Sequence, residues 1–154
     1  MSGLPKVLVL NGPNTNLYGT LDPGTYGATD YAAIVERTEA RGVLRGLDVE
    51  VRQSNHDGVL VDWIQEARQT TDALIVNGAG AAYVSVALYD ALSAYPGPII
   101  EVHMSNLARR EDFRQRSFVA LAAMGTISGF GPFGYELAVD AVAQILASGG
   151  GEDG

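Results

Sequence analysis

Apolar and polar positions fall into alternating blocks along this 154-residue chain. Lys6-Val7-Leu8-Val9-Leu10 is a short apolar run stopped by Asn11-Gly12-Pro13-Asn14, the pattern of a buried strand. A loop rich in Gly, Thr and Pro follows, as far as Gly27. Thr29 is placed to cap a helix from about Asp30 to Leu44, where Ile34, Val35, Thr38 and Val43 approximate helical spacing. Leu47 to Val51 reads as a second strand. Asn55 or Asp57 opens a second helix with Leu60, Val61, Ile64 and Ala67 on one face. Ala73-Leu74-Ile75-Val76 is a third strand, ending at Asn77-Gly78. A helix over about Val84 to Ala94 follows, and Pro96-Gly97-Pro98 breaks it. Ile99 to His103 is a fourth strand, and Asp112 to Phe118 a short helix or turn. Gly125 to Ser128 is a fifth strand, and Gly134 to Ala147 a final helix. The Gly-rich, acidic tail 148–154 reads as disordered, leaving a single domain over 1–147.

Strands that alternate with helices predict an α/β fold, a doubly wound five-stranded parallel sheet with helices on both faces. In such sheets ligands bind beyond the carboxyl ends of the strands, where the strand order switches. That rule gathers Asn11, Asn14, Asn77 and the segment Glu101 to Ser105 around one crevice. One polar strand end means little; three together favour a site.

The segment Ile99-Ile100-Glu101-Val102-His103-Met104-Ser105-Asn106 carries the strongest chemical signal. Period-two alternation puts Glu101 and His103 on one face of a strand. A carboxylate beside an imidazole fixes its tautomer and raises its basicity, so the pair suits a held acid/base. The same pair also suits a buried polar closure of the strand.

Composition narrows the alternatives. The formal charge of −8 argues against nucleic acid as a partner. No apolar run approaches the roughly 20 residues of a membrane span, and no signal-peptide pattern is visible, so a cytoplasmic protein is expected. The absence of cysteine excludes disulfides and thiolate metal sites. Two histidines, His56 and His103, make a structural zinc site improbable. Gly78-Ala79-Gly80 lacks the full dinucleotide or Walker pattern, and no Gly-x-Ser-x-Gly elbow supports a serine hydrolase.

The ordered motifs resemble type II 3-dehydroquinate dehydratase, the shikimate-pathway enzyme. They are Asn11-Gly12-Pro13-Asn14, Tyr26-Gly27, Arg52-Gln53-Ser54-Asn55-His56, Asp62-Trp63-Ile64, Asn77-Gly78, Ser85-Val86-Ala87-Leu88, Asp90, Glu101 to Asn106, and Arg110 through Arg114. The resemblance spans about Lys6 to Ala147. It implies a flavodoxin-like fold and a carbon–oxygen lyase that removes water from a cyclic hydroxy-ketone acid through an enolate, without metal or organic cofactor. It implies Tyr26 as the base, His103 as the proton donor with Glu101 behind it, and Asn14 holding the water that stabilises the enolate. Substrate contacts would come from Asn77, the Met104 backbone, Ser105 and Arg114, with Asp90 serving a neighbouring subunit's site. The implied assembly is a homo-trimer, four of which form a homo-dodecamer.

Two positions depart from the family pattern. Leu21 stands where the family carries a loop arginine that acidifies the tyrosine. A nearby cation lowers a pKa by roughly 1–3 units, and each unit is about tenfold in tyrosinate near neutral pH. Tyr83 stands where the family has a histidine that contacts substrate hydroxyls. Three readings follow: a lyase redirected to a related biosynthetic intermediate, an ordinary 3-dehydroquinate dehydratase, or an inactive oligomer that binds a ligand. The redirected lyase is the leading expectation. Arg109 is the candidate substitute for the missing cation. His56 reads as structural.

Overall fold

The structure, a computed structural model, describes residues 3–149. In chain order it contains β1 (Lys6–Asn11), α1 (Pro23–Tyr26), α2 (Tyr31–Leu44), β2 (Asp48–Gln53), α3 (Asp57–Thr70), β3 (Ala73–Asn77), α4 (Val86–Ser93), β4 (Ile99–His103), α5 (Phe118–Ala122), β5 (Gly125–Ser128) and α6 (Phe133–Ala147). The five strands are parallel, in the order β2-β1-β3-β4-β5. This is a doubly wound sheet of flavodoxin-like order, whose direction of winding reverses between β1 and β3.

The pleat divides the core. Val7, Val9, Ile75 and Val102 pack against Ile34 of α2 and Ala138, Val139 and Val142 of α6. Their neighbours Leu8, Leu10, Leu74 and Val76 point the other way, onto Leu60 and Ile64 of α3, Leu88 and Leu92 of α4, and Val119 of α5. Each side chain of this size contributes roughly 1.5–3 kcal/mol when fully buried. Every residue of β3 is buried, as a strand covered on both faces requires.

Several element ends differ from the sequence expectation, and local hydrogen bonds explain them. Asp30, not Thr29, caps α2, its carboxylate accepting the Ala33 N–H at 2.8 Å. The helix expected from Val84 starts at Val86, because the Ser85 hydroxyl accepts the Leu88 N–H at 3.0 Å; Ala79–Tyr83 before it winds as a 3-10 turn. The segment from Asp112 to Phe118 is not one helix. It holds a 3-10 turn over Asp112–Arg114, and α5 opens separately at Ser117, whose hydroxyl accepts the Ala120 N–H. β2 runs on to Gln53 because β1 continues to Asn11 and pairs with it there. The long loop is partly regular, with a 3-10 turn at Thr15–Leu17 and α1 capped by Asp22. Ser148 caps the end of α6. The rest of the expected disordered tail, 150–154, lies outside the described residues. Among those residues no helix is long and apolar enough to cross a membrane.

Candidate active site

The crevice opens at the switch between β1 and β3. The Gly12 N–H donates to the Asn77 carbonyl at 2.8 Å, tying the two strand ends together. A Cβ on Gly12 would lie 2.3 Å from the Gly78 carbonyl oxygen, so only glycine permits this approach. Asn14 (φ 69°) and Ala79 (φ 50°) hold left-handed backbone conformations, and both line the cleft. For alanine that conformation costs about 1–2 kcal/mol, so backbone strain is concentrated at the cleft wall. The cavity volume is about 140 Å³. A larger hollow of about 360 Å³ lies between β2 and α3, but it is away from the strand carboxyl ends.

The Glu101–His103 pair sits on the α5 side of β4, both residues nearly inaccessible to solvent. His103 Nε2 is 2.8 Å from Glu101 Oε2, off the line of a good hydrogen bond, so Nε2 has no aligned partner. Ser117 donates its hydroxyl proton to the same carboxylate oxygen, which fixes the carboxylate from the far side. The other ring nitrogen, Nδ1, faces the cleft and lies 3.5 Å from the Tyr83 hydroxyl, at the outer limit of a hydrogen bond.

Tyr26, at the end of α1, meets a cation. Arg110 Nη2 donates to its phenol oxygen at 3.2 Å, and the guanidinium carbon lies 5.3 Å from the ring centre. Arg110 is braced by Ser105 Oγ at 2.7 Å and Glu111 at 3.1 Å. Burial works against the Arg110 charge, yet its contacts with Tyr26 and Glu111 outweigh burial and push its pKa up. Arg109, the residue expected from the sequence to replace the loop cation, is exposed instead. It is the last residue of a 3-10 turn over Leu107–Arg109, and the chain becomes extended at Arg110, which turns that side chain inward. Leu21 packs with Tyr26 against the core of the α2–α6 layer.

The remaining expected residues divide clearly. Met104, Ser105 and Arg114 line the same cleft as Asn14, Tyr26, Asn77, Tyr83 and His103. Arg114 lies 5.3 Å above the Tyr83 ring and donates to Glu111 at 3.1 Å. Burial pushes the Tyr83 phenol up, and Arg114 opposes it. Asn77 reaches the cleft with its amide already engaged: it donates to the phenols of Tyr18 and Tyr135 at 3.0 and 2.7 Å and accepts the Ala79 N–H. Asp90 is exposed on α4 and is not brought to this chain's cleft. Sequence reasoning missed Arg110 as a site residue, and also Ser117. Ser117 was read only as part of the turn from Asp112 to Phe118, and its reach to Glu101 is a tertiary contact. Among the described residues no group of three or more His, Cys, Asp or Glu could hold a metal ion.

The family model for class II dehydroquinases matches residues 5–143, nearly the whole domain that carries this cleft. The chain belongs to the class II dehydroquinase family. It is 50% identical over 140 residues to the 3-dehydroquinate dehydratase of Caulobacter sp. (strain K31), covering 91% of this chain and 95% of that protein. Among solved structures, the type II dehydroquinase from Propionibacterium acnes superposes with a TM-score of 0.87 at 41% identity, covering 90% of this chain and 96% of that one. The type II dehydroquinase from Butyrivibrio crossotus DSM 2876 gives a TM-score of 0.88 at 37% identity, covering 90% and 97%. This dehydroquinase is thus an enzyme of the carbon–oxygen lyase class.

Proposed function

We propose that this dehydroquinase is an ordinary 3-dehydroquinate dehydratase that forms 3-dehydroshikimate. The observation that carries the reading is the 3.2 Å contact between Arg110 and the Tyr26 phenol. The redirected-substrate expectation rested on two departures, Tyr83 and a base left without its loop cation. Arg110 supplies a cation to Tyr26 from a different part of the chain, so Leu21 does not leave the base unassisted.

In the proposed reaction the Tyr26 phenolate takes the proton beside the ring ketone, and Arg110 balances the charge of the phenolate. Asn14, at the cleft mouth, holds a water against the enolate. The departing hydroxyl leaves on the His103 side, where the Glu101 carboxylate, held by Ser117, lies beside the imidazole. Ser105, the Met104 backbone and Arg114 hold the substrate. Asn77 acts mainly by position, since its amide is already bonded. Asp90 serves the cleft of a neighbouring subunit in a trimer, and four trimers form a dodecamer; light scattering should then give about twelve times the 16.2 kDa chain mass. The substrate is a small carboxylate and the site of action the cytoplasm.

Leu21 and Tyr83 favour a second reading, a ring with fewer hydroxyls, because both make the cleft less polar than the family pattern. Steady-state kinetics on 3-dehydroquinate decide between the two. Turnover in the ordinary enzyme range of roughly 1–1,000 per second, reduced at least about a hundredfold in Tyr26→Phe, is the expected result. Wild-type turnover no faster than that of Tyr26→Phe would refute the dehydratase reading.

A further inference from the structure

We propose that the Tyr83 hydroxyl delivers the proton to the departing hydroxyl, with His103 recharging it from behind. The inference rests on the dehydratase reading above. Both ring nitrogens of His103 already face protein groups. Nε2 is against the Glu101 carboxylate at 2.8 Å, and Nδ1 is toward the Tyr83 hydroxyl at 3.5 Å. The imidazole itself is 4% exposed. Tyr83 is half-buried and lines the cleft, and its ring stacks on His103 with centres 6.0 Å apart and planes 24° apart. Arg114 sits on the ring 5.3 Å away and holds it in place. The cleft-lining hydroxyl that meets His103 Nδ1 is therefore that of Tyr83, a route for a proton from the imidazole to a ligand.

The step balances without any added reagent. Tyr26 breaks the C–H bond and takes the proton, leaving an enolate. The enolate electrons form the carbon–carbon double bond as the C–O bond breaks, and its pair stays on the departing oxygen. That oxygen takes the Tyr83 phenol proton and leaves as water. The Tyr83 oxygen takes a proton from His103 Nδ1, and the Glu101 carboxylate lies against the other ring nitrogen. Solvent then removes the Tyr26 proton and returns one to His103 through the Tyr83 hydroxyl. A phenol suits this role because it carries a proton at neutral pH, and Arg114 on its ring opposes the rise that burial imposes on its pKa.

The decisive variant is Tyr83→Phe, which keeps the ring and removes only the hydroxyl. Three readings are taken: kcat and KM on 3-dehydroquinate, and deuterium uptake beside the ketone in D2O. The expected result is a kcat lowered about 10²–10⁴-fold, KM within about threefold, and deuterium uptake that outlasts water loss. Tyr83→His, which returns a proton-bearing ring, should recover at least about tenfold in kcat over Tyr83→Phe. Thermal unfolding of both variants checks that the fold is kept. A kcat within about threefold of wild type, an effect on KM alone, or loss of deuterium uptake together with elimination would each overturn the proposal. A variant that unfolds shifts the decision to Tyr83→His, where an unrecovered kcat in a folded protein counts against the relay. If the wild type neither dehydrates 3-dehydroquinate nor exchanges its proton, the dehydratase reading fails and the relay falls with it; that control separates the two failures.

Discussion

Replacing Arg110 by methionine tests the cation beside Tyr26 directly. The guanidinium nitrogen lies 3.2 Å from the Tyr26 oxygen. Two unit charges about 4 Å apart attract by about 4 kcal/mol at an effective dielectric constant near 20. The Arg110 side chain is 17% exposed, so water screens part of this. A hydrogen bond to a charged group is worth about 1.5–3 kcal/mol net. At 1.36 kcal/mol per factor of ten, Arg110→Met should cost about 10- to 150-fold in kcat on 3-dehydroquinate. Arg109→Ala, at an exposed position, should stay within about threefold. Leu21→Arg added to Arg110→Met should recover at least about tenfold, because residue 21 packs on the same core as Tyr26. The assay is steady-state kinetics, with thermal midpoints to exclude unfolding, since Arg110 also braces Ser105 and Glu111. An Arg110→Met enzyme within threefold of wild type would refute the reasoning and leave Tyr26 without an assigned partner.

Gly12→Ala should destabilise the protein by about 1–3 kcal/mol through overpacking, because the new Cβ meets the Gly78 backbone oxygen at 2.3 Å; a denaturation midpoint equal to wild type would show that the strand ends can part without cost. The buried tyrosines should limit alkaline stability. Burial pushes the Tyr18 phenol up to about 12, and also raises Tyr95 and Tyr135. A raised native value means that stability is fully present below the unfolded value near 10 and is lost as pH climbs toward 12. Two units at 1.36 kcal/mol each give a loss of about 3 kcal/mol from Tyr18 alone. Denaturant titrations at pH 9 and pH 11 check this, and phenolate absorbance from all seven tyrosines near pH 10 in the folded protein would contradict it.

The fold was legible because its signals are local and repeated. Apolar runs ending in Asn11-Gly12 and Asn77-Gly78 mark strands with polar carboxyl ends, and the switch-point rule then places the crevice. Alternation put Glu101 and His103 on one face, and the structure brings them to 2.8 Å. Helix starts were less legible, since Thr29 and Asp30 both suit a cap and only the Asp30 contact with Ala33 decides. The cation was misassigned by one residue. Arg109 stood out because it lies just before the family-like Arg110; a 3-10 turn that ends between them leaves Arg109 exposed and brings Arg110 to Tyr26. Ser117 and Arg110 reach Glu101 and Tyr26 across 16 and 84 positions of chain, beyond any local pattern.

Leu21 and Tyr83 line one cleft, and in the proposed reaction they bear on its base and its acid. Leu21 removes a charge from the wall beside the base, and the neighbouring Tyr26 is met by Arg110 from the segment after β4. The same guanidinium is bonded to Ser105, so the group that meets Tyr26 also braces another residue of the cleft lining. Tyr83 alters the acid end, where Arg114 covers its ring and donates to Glu111. Glu111 in turn accepts from Arg110. A carboxylate thus links the two arginines, one beside the base and one beside the acid. The carboxyl of Glu111 is held below its ordinary range, first by a backbone hydrogen bond and further by those two guanidinium groups. In the proposed reaction one short segment, Arg110 to Arg114, therefore bears on both ends, and Arg110 keeps a cation beside Tyr26 where the loop carries Leu21.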